Sequence, residues 1–130
     1  MNAKQFMASP VPFRTVPVAV PGGGEIHVKE LTPAEGKELT AEVSKMYERT
    51  DNKYGEPGTI DRNKAIMACW IWFCAYDPKT EKRTFTKASI RKMVDSKTVS
   101  YLKAIQERIR YSALMGKAYP ENEPEKEKNA

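Results

Sequence analysis

Twelve consecutive residues, Ala65 to Tyr76, carry neither a charge nor a side-chain amide: Ala-Ile-Met-Ala-Cys-Trp-Ile-Trp-Phe-Cys-Ala-Tyr. A bilayer-spanning helix needs about 20 such residues, so this run is too short to cross a membrane. It exceeds the roughly 4–8 residues of a common strand, and Asp61-Arg62-Asn63-Lys64 offers a polar first turn, so a helix over Asp61–Tyr76 is predicted. The aromatic end, Trp70-Ile71-Trp72-Phe73, has strand propensity that competes with this reading. At 1.5 Å per residue such a helix is about 24 Å long, near the width of a small domain. Being apolar all round, it has to be covered all round, and the rest of the chain is expected to wrap it. Trp70, Trp72 and Phe73 read as core rather than as a ligand pocket, because each large ring buries about 150–250 Å² that a small domain needs.

A chain of 130 residues, 40% apolar and 30% charged, fits one soluble globular domain. Met1 to Ala8 holds one Lys and no apolar stretch, so no signal peptide is expected. Cys69 and Cys74 both lie in the central run. Five residues apart on a helix, they point about 140° from each other and cannot bridge. Buried free thiols fit a reducing cytoplasm. With His27 the only histidine and no Cys-x-x-Cys pair, neither a metal, a redox centre nor a cofactor is expected.

Residues 1–12 contain two prolines and no periodicity, and read as a flexible arm. Phe13 to Val20 alternates, with Val16, Val18 and Val20 on one side; Pro17 lacks a ladder donor and assigns this strand to an edge. Pro21-Gly22-Gly23-Gly24 signals a turn, and Glu25 to Leu31 alternates again with Ile26 and Val28 inward, completing a β-hairpin. His27 and Lys29 fall on the other face, where a lone His is expected to be exposed. Thr32 as N-cap, Pro33 at the first helical position and Glu35 in a capping box start a helix. Its apolar stripe is Leu39, Val43, Met46 and Tyr47, and its expected end is near Arg49. Gly36 weakens its first turn by about 1 kcal/mol relative to Ala. Thr50 to Thr59 reads as a mobile loop open to nicking. After the central helix, Asp77-Pro78-Lys79-Thr80 is a turn. Thr86 is placed to cap a short helix carrying Ile90, Met93 and Val94. Ser96 is placed to cap the last helix, with Val99, Leu102, Ile105 and Ile109 inward and Gly116 ending it. Residues 117–130 are proline-containing and densely charged, the signature of a disordered tail. The expected fold class is α+β: an N-terminal β-hairpin followed by a mostly helical domain of about four helices around a buried central helix, over residues 13–116.

No catalytic constellation emerges. Gly22-Gly23-Gly24 joins two strands and leads into no helix N-terminus, so it is not a phosphate loop. A nucleophile–base pair would have His27 alone to draw on. The chain is therefore read as non-enzymatic. Charge is more informative: ten Lys/Arg face three acidic residues, Glu81, Asp95 and Glu107, between Lys79 and Tyr111. A basic half suggests an acidic partner or nucleic acid, against the commoner reading of a solvated face. A helix-turn-helix over Lys87–Gln106 is the alternative, since Ala88, Val94, Val99 and Leu102 fall at its apolar positions. Met93-Val94-Asp95 occupies the turn where Gly is favoured, and Lys92 stands where an inward apolar residue belongs. Specific nucleic-acid binding is accordingly not the favoured expectation.

The order of the pieces carries a resemblance. Val16-Pro17-Val18-Ala19-Val20-Pro21-Gly22-Gly23-Gly24-Glu25-Ile26-His27-Val28-Lys29-Glu30-Leu31-Thr32 resembles the opening of the tail assembly chaperones of long-tailed bacteriophages: valine–proline, glycines, then valine–basic–x–leucine–threonine leading into a capped helix. The central run ending in Tyr76-Asp77, Phe85-Thr86 opening a short helix, and a closing amphipathic helix ending in Ser112-Ala113-Leu114 are similar too, so the likeness spans residues 13–116. Pro78-Lys79-Thr80 departs from the acidic, glycine-containing turn of the family, and this chain is more basic. The resemblance implies a protein without catalysis that acts in the host cytoplasm and is absent from the mature virion. It implies binding to the tape-measure protein and to tail-tube subunits assembling around it, and many relatives also have a longer, frameshifted form. Homo-oligomer formation stays open. The family carries no site residues over. From charge placement, Arg91, Lys92, Lys103 and Arg110 are the candidate partner-binding residues.

Overall fold

A computed structural model describes residues 1–48 and 53–120. Two strands, β1 (Thr15–Ala19) and β2 (Glu25–Lys29), form the antiparallel hairpin, with Val16 opposite Val28 and Val18 opposite Ile26. Period-2 alternation buries Val16, Val18 and Val28 while Pro17 stays exposed on the outer face, which suits a residue without a donor. The connecting Gly22, Gly23 and Gly24 all hold positive φ (91°, 116° and 84°), a turn that side-chain-bearing residues resist.

Ahead of the hairpin, residues 1–12 are not featureless. Ala3–Ala8 forms a short helix, α1, closed by a reciprocal capping box between Asn2 and Gln5, and none of its residues is buried. Behind it comes α2 (Pro33–Glu48), started by the expected box: the Glu35 amide donates to Thr32 Oγ1 at 3.3 Å and the Thr32 amide to Glu35 Oε1 at 3.0 Å. Leu39 and Met46 are buried and Val43 half-buried, but Tyr47 is 62% exposed and is not part of the inward stripe. The expected end near Arg49 lies outside the described residues, as do residues 121–130 of the tail.

The central helix, α3, is Ile60–Cys74, with Thr59 Oγ1 accepting from the Arg62 amide. It stops two residues early because strand propensity prevails at its aromatic end. Ala75 bridges to Val28 and Tyr76 to Arg83, and the Tyr76 amide donates to the His27 carbonyl at 2.9 Å. The Asp77 turn follows as predicted, with Asp77 Oδ1 accepting from the Lys79 and Thr80 amides. Small residues line the closest packing of α3: Ala65, Ala68, Cys69 and Cys74 are fully buried beside Ile71 and Phe73. The cover is incomplete, however. Ile66, Met67, Trp70 and Trp72 remain half-buried, so the rod is wrapped on most sides rather than all.

Helices α4 (Ser89–Ser96) and α5 (Val99–Met115) complete the domain, which is α+β. In place of a Thr86 side-chain cap, Ser89 Oγ accepts from the Thr86 amide. The cap of α5 is Thr98, not Ser96: Thr98 Oγ1 accepts from the Tyr101 amide at 3.2 Å, while Ser96 closes α4 by donating to the Lys92 carbonyl. Leu102, Ile105 and Ile109 face inward, with Val99 half-buried, and Gly116 ends α5 in the left-handed conformation. A Cβ on Gly116 would meet the Glu30 carboxylate at 2.3 Å. This close approach, with the Leu31 amide donating to the Ala113 carbonyl at 2.9 Å, fixes the hairpin's exit on the end of α5.

Candidate functional site

The sequence predicts a mobile loop over Thr50–Thr59, but the described part of the segment between α2 and α3 is anchored. Tyr54 is 3% exposed, and the Gly55 carbonyl accepts from Arg62 Nε at 3.1 Å and Nη2 at 2.8 Å. Arg62, itself only 1% exposed, also donates to the Met46 and Tyr47 carbonyls. Nothing in the sequence marks this residue beyond its place at the head of the apolar run.

The four candidate cations separate into two groups. On α4, Arg91 is committed to the fold. It donates to Asp95 (Nη2 to Oδ1, 2.7 Å) and to the Lys53 carbonyl (2.7 Å), and its guanidinium lies 5.0 Å from the Tyr54 ring centre. The hydrogen bond from Arg91 holds the Asp95 carboxyl below its ordinary range. Lys92, next to it, is exposed. On α5, Lys103 and Arg110 are exposed on one face, opposite Leu102, Ile105 and Ile109, with Glu107 between them. Residues 103, 107, 110 and 114 follow helical spacing, so this polar row runs into Leu114, which is 58% exposed.

Apolar surface gathers where that row ends. Leu114 and Met115 lie beside Tyr111, whose ring packs edge-on against Tyr119 at 5.5 Å. Tyr119, the counterpart of this contact, belongs to the segment 117–130 that the sequence assigns to a tail, of which residues 121–130 lie outside the described residues. Around Leu114 the surface continues into an open groove of about 450 Å³ between the start of α2, the middle of α3 and the end of α5, lined by Leu31, Pro33, Leu39 and Trp70, with Lys37 at its rim. A groove of this shape, apolar and flanked by helices, suits an amphipathic helix or an apolar peptide segment.

Other cations, the two thiols and the one histidine take structural places. Arg83 lies over Phe73 (4.5 Å), Trp72 (5.0 Å) and Tyr76 (5.5 Å), and Lys87 lies over Trp72 while pairing with Glu42. Burial pushes the thiols of Cys69 and Cys74 up to about 12, so both stay protonated at neutral pH. His27 is half-buried on the outer hairpin face, 3.4 Å from Glu25. In the segment read as a helix-turn-helix, Met93, Val94 and Asp95 are helical, and the connection falls later, at Lys97 and Thr98. Among the described residues there is no cluster of metal-ligating side chains and no helix long and apolar enough to cross a membrane. No family model, curated protein or solved structure matches the chain.

Proposed function

We propose that this chain is a tail assembly chaperone of a long-tailed bacteriophage. In this reading it binds the tape-measure protein in the host cytoplasm, keeps its long apolar helices soluble, promotes assembly of tail-tube subunits around them, and leaves before the virion is mature. It does so by reversible contact, without catalysis or cofactor. The observation that carries the reading is the ordered series of a proline-edged hairpin with a glycine turn, a Thr32–Glu35 capped helix, an apolar central helix and a basic closing helix.

The surface of α5 supports it. Lys103 and Arg110 lead along one face to Leu114 and Met115, which offers an amphipathic helix cationic contacts beside an apolar seat. Exposed cations speed encounter with an acidic partner and fix its register, while the apolar end supplies area. Co-expression with the tape-measure protein of the same phage tests the reading. The expected result is a soluble complex captured through a tag on this chain, weakened by Leu114→Glu or by Lys103→Glu with Arg110→Glu. A tape-measure protein that stays insoluble beside abundant folded chain would overturn it. So would nanomolar binding to a single operator-like DNA at physiological salt that survives competitor DNA, because scattered lysines give only weak, sequence-indifferent, salt-sensitive binding.

A further inference from the structure

The chain turns back on α5 as soon as that helix ends. Gly116, left-handed at φ 69°, closes it, and the Gly116 amide donates to the Ser112 carbonyl at 2.8 Å. By Tyr119 the chain stands beside α5 again. The Tyr119 ring meets Tyr111 edge-on at 5.5 Å and lies 6.0 Å from the Arg108 guanidinium. Tyr119 and Pro120 are half-buried, whereas Lys117 and Ala118 are exposed. Tyr111 lies about 8 Å up the axis from Gly116, so the chain retraces that length antiparallel to α5. Glu107 and Arg110 line the same shallow pocket as Tyr119, which puts the return course on the face of the polar row.

The cations of that row lack counter-charges. Among the described residues no ion pair reaches Lys103 or Arg110, and Glu107 between them pairs with neither. The sequence after Pro120 carries the opposite sign. Glu121-Asn122-Glu123-Pro124-Glu125 holds carboxylates and no cation, whereas in residues 126–130 Glu127 is outnumbered by Lys126 and Lys128. At about 3.3 Å per extended residue, Glu121 and Glu123 reach about 7 and 13 Å beyond Tyr119. Lys103 lies about 12 Å along the axis from Tyr111, in the same direction. Pro120 and Pro124 favour extended backbone at the residue before each, which suits a straight course.

We propose that Glu121, Glu123 and Glu125 lie along α5 against Arg110 and Lys103, so that this chain's own acidic segment covers its cationic row until an acidic partner displaces it. Each exposed pair is weak, but a short tether supplies the carboxylates at about millimolar effective concentration. The cover therefore forms readily and yields readily, and Glu107, of like charge, keeps it exchangeable. The contact is independent of the chaperone reading, on which only the identity of the displacing partner rests.

Zero-length carbodiimide coupling of the full chain, with peptide mapping of the monomer by mass spectrometry, tests the contact. At low salt Lys103 is expected to join Glu121, Glu123 or Glu125, with the yield falling severalfold at high salt. Coupling of Lys103 to Glu107 alone would overturn the proposal. Binding of a fluorescent oligoglutamate gives the second arm. Glu121→Gln, Glu123→Gln and Glu125→Gln together should tighten it at least about threefold at low salt. In a Lys103→Glu, Arg110→Glu background the same three changes should give no such gain. An equal gain in both backgrounds would assign the effect to net charge, and no gain in either would show the row uncovered; each overturns the proposal. Co-expression with the tape-measure protein reads the proposed function separately, since its failure beside an intact cross-link leaves the contact standing.

Discussion

Arg62 Nη1 donates to the Met46 carbonyl at 2.5 Å across the junction of α2 and α3. The same guanidinium reaches the Tyr47 and Gly55 carbonyls, so one side chain serves two carbonyls in the last described turn of α2 and ties them to the segment leading to α3. Arg62→Met keeps most of the apolar stem but leaves these acceptors without their donor. The expected loss is about 3 kcal/mol in urea unfolding. Arg62→Lys should recover less than half, because an ammonium cannot reproduce the planar fork. A Met variant as stable as the parent would show that water replaces the guanidinium at no cost.

Core substitutions should separate by burial within the same aromatic segment. Phe73 is 2% exposed, and Phe73→Ala is expected to cost about 3–5 kcal/mol through lost transfer energy and a cavity. Trp72 is half-buried at the edge, its ring covered by Arg83 and Lys87. Trp72→Ala should therefore cost only about 1–2 kcal/mol, despite removing the larger ring. Chemical denaturation of the two variants side by side checks the order. An equal or larger loss at Trp72 would mean that this tryptophan is true core.

These two residues show where sequence reading succeeds and where it stops. Local signals were legible: the alternation of Val16 and Val18, the Thr32–Glu35 box and the left-handed Gly116 each depend on neighbours within four residues. The end of α3 was overrun because Ala75 and Tyr76 continue the apolar run while pairing as strand with Val28 and Arg83. Thr98 and Ser96 are both hydroxyl caps two residues apart, and only the backbone course decides between them. Arg62 and Arg91 were unreadable for a different reason. Their partners, Met46, Gly55, Lys53 and Tyr54, are brought near by packing and not by spacing. Lys103 and Arg110, fixed by helical period alone, sit on the predicted outer face of α5.

Acid should loosen the start of α2. Burial pushes the Glu35 carboxyl up, but hydrogen bonds from Lys29 and Thr32 outweigh it and hold its pKa below the ordinary 4.5. A carboxyl depressed in the folded state contributes stability that is fully present above its unfolded value and is lost as pH falls through the folded value. Glu35→Gln retains an acceptor for the Thr32 amide and removes the titration. The slope of stability against pH below about 4.5 should be shallower in this variant than in the parent. Parallel slopes down to pH 3 would assign the acid sensitivity to other carboxyls.

The cations of α4 and α5 should respond in opposite ways. Arg91→Ala removes the donor to the Lys53 carbonyl and the guanidinium over Tyr54, and is expected to cost about 1–2 kcal/mol. Once the folded fraction is accounted for, the proposed capture of the tape-measure protein should be unchanged. Lys103→Glu with Arg110→Glu should do the reverse. Both side chains are exposed, so stability falls by less than about 1 kcal/mol, mostly from repulsion against Glu107 between them. Association should slow, and the difference from the parent should shrink as salt rises, because screening acts on exposed charges. Thermal melts paired with surface-plasmon association rates at low and high salt measure both quantities. Equal, salt-dependent loss of association in the two variants, with Arg91→Ala fully stable, would extend the binding face across α4. Unaltered association in the α5 variant would move it to the groove around Trp70 or to the outer edge of the hairpin.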